Sequence, residues 1–136
     1  MSEIIYKTNL ENIDWIEMKT TLHQNTFNNE RSPEQHKASF ENSYAVCIAY
    51  AEGRIIGTAR VLSDGVCNAY LVDVWTLSEF RHRGIASTMI QKLMSQLNGQ
   101  HVYLQTDNAQ ELYAKLGFVE QPTGMSKVVG KWLVND

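Results

Sequence analysis

The sequence predicts one α+β domain spanning residues 1–136: a mixed, mostly antiparallel central sheet of about six to seven strands, flanked by about four helices. Three observations carry that expectation. In the first half, "SYAVCIAYAEG" and "RIIGTARVLSDG" meet at Glu52-Gly53, a dipeptide suited to a two-residue turn between antiparallel strands. In the second half the pattern becomes strand, helix, strand, because Met89, Ile90, Leu93, Met94 and Leu97 form a helical stripe between "NAYLVDVWTL" and "HVYLQT". Finally, 136 residues suffice for one well-buried core and are few for two.

Each element follows from local chemistry. "SEIIYKT" reads as a first strand. "NIDWIEMKTTLHQNTF" is a first helix with Ile13, Ile16, Met18 and Leu22 loosely on one face, and Trp15 and Phe27 read as core. Ser32-Pro33 ahead of "EQHKASFEN" supplies an N-cap and a proline at the first helical position of a second helix. Two hairpin strands and "NAYLVDVWTL" follow, then a third helix from about Ala86. "DNAQELYAKLG" is a compact fourth helix, with Asn108 and Glu111 at capping-box spacing and Gly117 at the C-terminal stop. "SKVVGKWLV" reads as a closing strand. Helices are expected on both faces of the sheet.

Composition narrows the function classes. The chain is 43% hydrophobic and 20% charged with a net charge of −3, so no global field draws it to nucleic acid. Cys47 and Cys67 are far apart without a CxxC pattern, and the four histidines are scattered, so no metal site is expected. The N-terminus resembles neither a signal peptide nor a membrane-spanning segment, which points to a reducing, cytoplasmic setting without membrane partners.

The stretch "SEFRHRGIAST" carries the chemistry. A strand ends near Leu77 and a helix begins near Ala86, so the first helical N–H groups point back at the turn without internal partners. With the helix dipole they make an anion site. Gly84 and Ala86 let a ligand approach the backbone, Arg81 and Arg83 add forked donors for phosphate oxygens, and Ser87 adds a hydroxyl. A plain turn with solvated arginines is the other reading of the same residues. Cations at a helix start oppose the dipole unless an anion sits there. No G-x-G-x-x-G and no Gly-Lys-Ser/Thr is present, so dinucleotide and P-loop readings fail.

Arg81-x-x-Gly84-x-Ala86, between a strand and a helix, resembles the Q/R-x-x-G-x-G/A motif of the GNAT acetyltransferase superfamily. The second signature of that family, Asn followed by a helix with Tyr and a Gly-Phe end, resembles Asn108, Tyr113, Gly117 and Phe118 here. "GTARVLSDG" with "AYLVDVW" is similar to a group of small bacterial-type members. The resemblance implies a GNAT fold and an acetyl-CoA-dependent N-acetyltransferase that uses no metal and acts on a primary amine of a small molecule or peptide. The turn residues Arg81, His82, Arg83, Gly84, Ile85, Ala86 and Ser87 are implied as the pyrophosphate cradle, although His82 is expected to face solvent. Trp75, Thr76 and Leu77 are implied as the strand edge along the pantetheine arm, and Asn108 as a further coenzyme contact. Many members are dimers, so a homodimer is implied by resemblance alone.

The implied reaction is direct attack of the amine on the thioester, without a covalent acyl-enzyme. A backbone N–H at Thr76 or Leu77 would stabilise the oxyanion, and Tyr113 would protonate the departing thiolate. The strand carboxylate of other members falls here near Tyr70. Asp73 is then the nearest acid, and strand alternation puts it on one face with Trp75 and Leu77; it would face the acceptor as a base, work through a water, or merely satisfy a buried partner. The acceptor region, "HQNTFNNERSPEQHK", offers Glu30, Arg31 and His36, which otherwise read as solvated helix surface. A chain lacking the strand carboxylate could instead be an acyl-CoA-binding sensor or interaction module without catalysis.

Overall fold

A computed structural model describes residues 3–25, 27 and 30–135. The chain divides into two compact units, Met1–Gln105 and Thr106–Asp136.

The first unit holds β1 (Ile4–Lys7), α1 (Trp15–Gln24), α2 (Pro33–Glu41), β2 (Ala45–Ala51), β3 (Arg54–Ser63), β4 (Asn68–Thr76), α3 (Ile85–Met94) and β5 (His101–Tyr103). Its sheet has the order β1-β2-β3-β4-β5, antiparallel throughout except for the parallel β4–β5 pair. The hairpin at Glu52-Gly53 forms as expected, with both residues at positive φ (51° and 79°), the backbone that matches strand twist in a two-residue turn. In the next hairpin the Asp64 carboxylate accepts the Val66 and Cys67 N–H groups, both at 2.8 Å, and these bonds hold its carboxyl below the usual range.

Helices cover both faces. Met89, Ile90 and Leu93 of α3 are fully buried, and the α3 side leaves no spare volume: a Cβ at Gly57 would lie 3.1 Å from the Met89 methyl and from the Trp75 carbonyl oxygen. Met18, Leu22 and Phe40 of α1 and α2 are buried in the same unit. Asp14 caps α1 through the Glu17 N–H, and Ser32 caps α2 in a full capping box with Gln35, behind Pro33.

Several expectations are corrected. Ile16 is 71% exposed, because only the i, i+4 pair Met18 and Leu22 turns inward, and Phe27 is exposed while Trp15 is half-buried against Phe40. Among the described residues the sheet has five strands rather than six or seven. The second unit contains α4 (Gln110–Lys115), while "SKVVGKWLV" forms no strand among the described residues. Positive φ at Gly130 (69°) and Leu133 (64°) and the turn bond from the Val134 N–H to the Lys131 carbonyl break the extended run that the apolar pattern suggested. No described helix is long and apolar enough to cross a membrane.

Candidate active site

The site begins where β4 loses one neighbour. β4 pairs with β5 only over Asn68–Tyr70, while its other edge stays paired with β3 as far as Thr76. From Leu71 onward the edge of β4 turned away from β3 therefore has no strand partner among the described residues. The Leu77 N–H donates to the Ile56 carbonyl at 2.7 Å, so it faces β3. Alternation then turns the backbone of Thr76 to the open edge. Of the two expected oxyanion donors, Leu77 is thus spent within the sheet and Thr76 faces out. The Thr76 carbonyl accepts the Arg81 Nε–H at 3.1 Å, which ties the turn back to the strand end.

A single turn of 3-10 helix, Ser78–Phe80, leads into the cradle. Gly84 stands at the α3 N-cap in the left-handed region (φ 76°, ψ 11°), and no side chain caps the helix. A Cβ at Gly84 would meet nothing within 4 Å, so it is the backbone angle that calls for glycine there. The α3 first turn carries no acidic residue, so its leading N–H groups at Ile85, Ala86 and Ser87 have no intrahelical acceptor and no side-chain cap. Thr88 returns its hydroxyl to the Gly84 carbonyl at 2.8 Å and locks the entry. Arg83 lies over the Phe80 ring, with Cζ 5.0 Å from the centroid, and His82 is exposed at φ 63°. Free backbone donors at a helix N-terminus and two exposed arginines thus share the Arg81–Ser87 turn, a combination suited to a multiply charged anion.

The second unit carries the other predicted pair. α4 begins at Gln110 with Ala109 as its N-cap, so Asn108 does not cap it and the expected capping box with Glu111 is absent. Thr106 takes that place instead, its hydroxyl accepting the Ala109 N–H at 3.0 Å. Asn108 is exposed and its side chain is spared from helix capping. Tyr113 is buried, with Phe118 edge-on to its ring at 5.6 Å, and burial raises its phenol above the ordinary value. Gly117 (φ 95°) ends the helix as expected.

The acid on β4 has largely buried partners, one of the roles that its place in the sequence leaves open. Asp73 Oδ2 accepts the Arg60 Nε–H at 2.6 Å and an Arg31 guanidinium N–H at 2.9 Å. Arg31 is only 5% exposed and His36 fully buried, stacked on Phe40, so neither belongs to a solvated helix surface. Glu30 is exposed, and Thr26, Asn28 and Asn29 of the same loop lie outside the described residues. Nothing in "TARVL" marks Arg60 as part of this cluster, because its partners lie 13 and more residues away. Tyr70 opens with Leu62 and Tyr103, its cross-strand neighbours, onto a shallow depression of about 510 Å³.

The thiols are unlike one another. Burial pushes Cys47 up to about 11, whereas Cys67 is exposed. A thiol reagent at neutral pH is expected to label Cys67 in the native protein and to reach Cys47 only after unfolding, as counted by mass spectrometry.

The acetyltransferase (GNAT) family profile matches residues 9–118. An uncharacterized N-acetyltransferase, ycf52, of Pyropia yezoensis is 32% identical over 79 residues, which are 55% of this chain and 45% of that protein. The chain thus matches about half the length of this curated relative. Among solved structures, a GNAT-family protein from Xanthomonas campestris pv. campestris superposes with a TM-score of 0.80 at 26% identity, covering 95% of both chains. A GNAT-family acetyltransferase from Streptococcus pneumoniae gives 0.78 at 18% identity over 95% of this chain and 100% of that one. Glucosamine-6-phosphate N-acetyltransferase from Arabidopsis thaliana gives 0.71 at 18% identity over 94% and 99%; at that identity the likeness concerns the fold.

Proposed function

The chain belongs to the acetyltransferase (GNAT) family, and from that premise we propose that it transfers an acetyl group from acetyl-CoA to a primary amine of a small molecule or peptide. The observation that carries this reading is the uncapped α3 N-terminus behind Gly84, which follows a strand edge without a strand partner among the described residues. A diphosphate matches the first and an extended amide-bearing arm the second. On this reading the α3 N–H groups, Arg81, Arg83 and Ser87 hold the pyrophosphate. The open edge around Thr76 then pairs with the pantetheine, as a strand pairs with its neighbour. Trp75 and Leu77, both buried, set the edge's position from within the core. Asn108, released from capping, serves as a further polar contact to the coenzyme.

The reaction needs few protein groups. The amine nitrogen forms a bond to the thioester carbon while the carbonyl π electrons move to oxygen, where the Thr76 N–H receives the charge. Collapse restores the carbonyl and breaks the C–S bond; the electron pair leaves on sulfur, which takes the proton of the Tyr113 hydroxyl, and the phenol regains one from solvent. The proton lost by nitrogen passes to solvent through water, because Asp73 Oδ2 is already held by two guanidinium groups and its side chain is 11% exposed. Cys47 is too deeply buried and too weakly acidic to act as an acyl carrier.

A panel of alkylamines, polyamines, amino acids and peptides, scored for release of free CoA thiol, tests the proposal. Amine-dependent release above the hydrolysis background by at least one acceptor class is the expected result. Binding of acetyl-CoA with no release across the panel would assign the chain to coenzyme sensing instead.

A further inference from the structure

β4 contains one residue more than its partner can match. Thr58 pairs with Trp75 and Arg60 with Val72, so Ala59 alone stands opposite both Asp73 and Val74. Asp73 takes up the extra length by turning left-handed, with φ 53°. Side chains other than glycine seldom sit there, and asparagine and aspartate do so most readily. Such a bulge persists only when its surroundings hold it.

Here three side chains hold it, each from a different direction. The Thr58 hydroxyl donates to the Asp73 carbonyl at 2.8 Å. Arg60 Nε donates to Asp73 Oδ2 at 2.6 Å, and Arg31 reaches the same oxygen at 2.9 Å. Arg60 is itself fixed: its Nη1 donates to the Ser39 carbonyl and the Ser43 hydroxyl, both at 3.3 Å, and its guanidinium lies 5.6 Å from the Phe40 ring centroid. Arg31 enters just before the Ser32 cap of α2. The bulge is therefore bolted to β3 and to α2 at once. It falls between the last residue paired with β5, Tyr70, and Thr76, whose backbone faces the open edge.

We propose that Thr58, Arg60 and Arg31 form a clamp on Asp73 that fixes this bulge and so aims the outward backbone N–H groups of the open β4 edge, those of Val74 and Thr76, at the acyl carbonyl. Asp73 is on this account a positioning residue, and its carboxylate takes no proton from the amine. The inference rests on the reading of that edge as the acyl-CoA site.

The test uses Thr58→Val, Arg60→Met, Arg60→Lys and Asp73→Gly in the full chain. Asp73→Gly keeps the left-handed backbone accessible while removing the carboxylate, and Thr58→Val preserves volume if the arginine variants fail to fold. The first readout is amide hydrogen exchange by NMR without coenzyme, which does not depend on activity. Exchange at residues 73–76 is expected to rise at least tenfold in Thr58→Val, Arg60→Met and Asp73→Gly, with α3 unchanged. Exchange there equal to wild type would overturn the clamp even if acetyl-CoA proved not to be the ligand. The second readout is kinetic. Arg60→Met is expected to lower kcat about 100-fold, the cost of a misaimed group, with KM for acetyl-CoA within about threefold. Arg60→Lys, which keeps one charged donor, should recover part of that loss. The pH profile of Asp73→Gly is expected to keep its acidic limb. Loss of that limb, or rescue of Asp73→Gly by added carboxylate or imidazole, would make Asp73 the base and overturn the positioning role.

Discussion

Tyr113→Phe is expected to slow acetyl transfer by about 100-fold or more, the usual contribution of a positioned general acid, while leaving acetyl-CoA affinity within a few-fold of wild type. Phenylalanine keeps the ring and its edge-on contact with Phe118, so the variant removes the hydroxyl and little else. Burial raises the Tyr113 phenol above its ordinary value. On the proposed reading the neutral form donates to sulfur, and that form is fully present below the ordinary phenol range near pH ~10. Any alkaline limb due to Tyr113 therefore lies above that range, and activity falls only as pH rises through the raised value. Stopped-flow or steady-state rates across pH, with Kd measured separately, check both statements. A variant with unchanged kcat would reduce Tyr113 to a packing residue.

The double variant Arg81→Ala with Arg83→Ala is expected to weaken acetyl-CoA about 30-fold, two charge-assisted contacts discounted for exposure to solvent. Both side chains are exposed, and neither is buried in the sheet's core. The apo protein should therefore lose little stability, within about 0.5 kcal/mol. Arg81 does more than present charge, since its Nε holds the Thr76 carbonyl. Arg81→Ala alone is expected to be the more harmful of the two single changes. The weakening should shrink as salt is raised, because screening diminishes what exposed charges add. Titration calorimetry at two ionic strengths measures this.

What sequence made legible follows from where the determining contacts lie. The Glu52-Gly53 hairpin, the Ser32-Pro33 cap and the Gly84 start of α3 are set by residues within a few positions, and each stands where local chemistry puts it. The Arg81–Ser87 turn was readable for the same reason. Long-range pairing was not. Nothing near Asp73 announces that Arg31 and Arg60 will close on it, and strand alternation cannot register an extra residue whose place depends on the partner strand. "SKVVGKWLV" shows the opposite failure. Its composition favours a strand, yet two left-handed residues, Gly130 and Leu133, interrupt it. At Asn108 a plausible local motif lost to a neighbouring one, because Thr106 accepts the N–H of Ala109, the N-cap residue just before the helix.

On the proposed reading the open β4 edge and the α3 N-terminus hold acyl-CoA. Thermal unfolding of the wild-type chain with and without acetyl-CoA tests it most directly. At a concentration ~100 times Kd the coenzyme is predicted to add about 2.7 kcal/mol of stability, with a smaller gain for the Arg81→Ala, Arg83→Ala double variant at the same concentration. An unfolding curve that does not move in millimolar acetyl-CoA would contradict it.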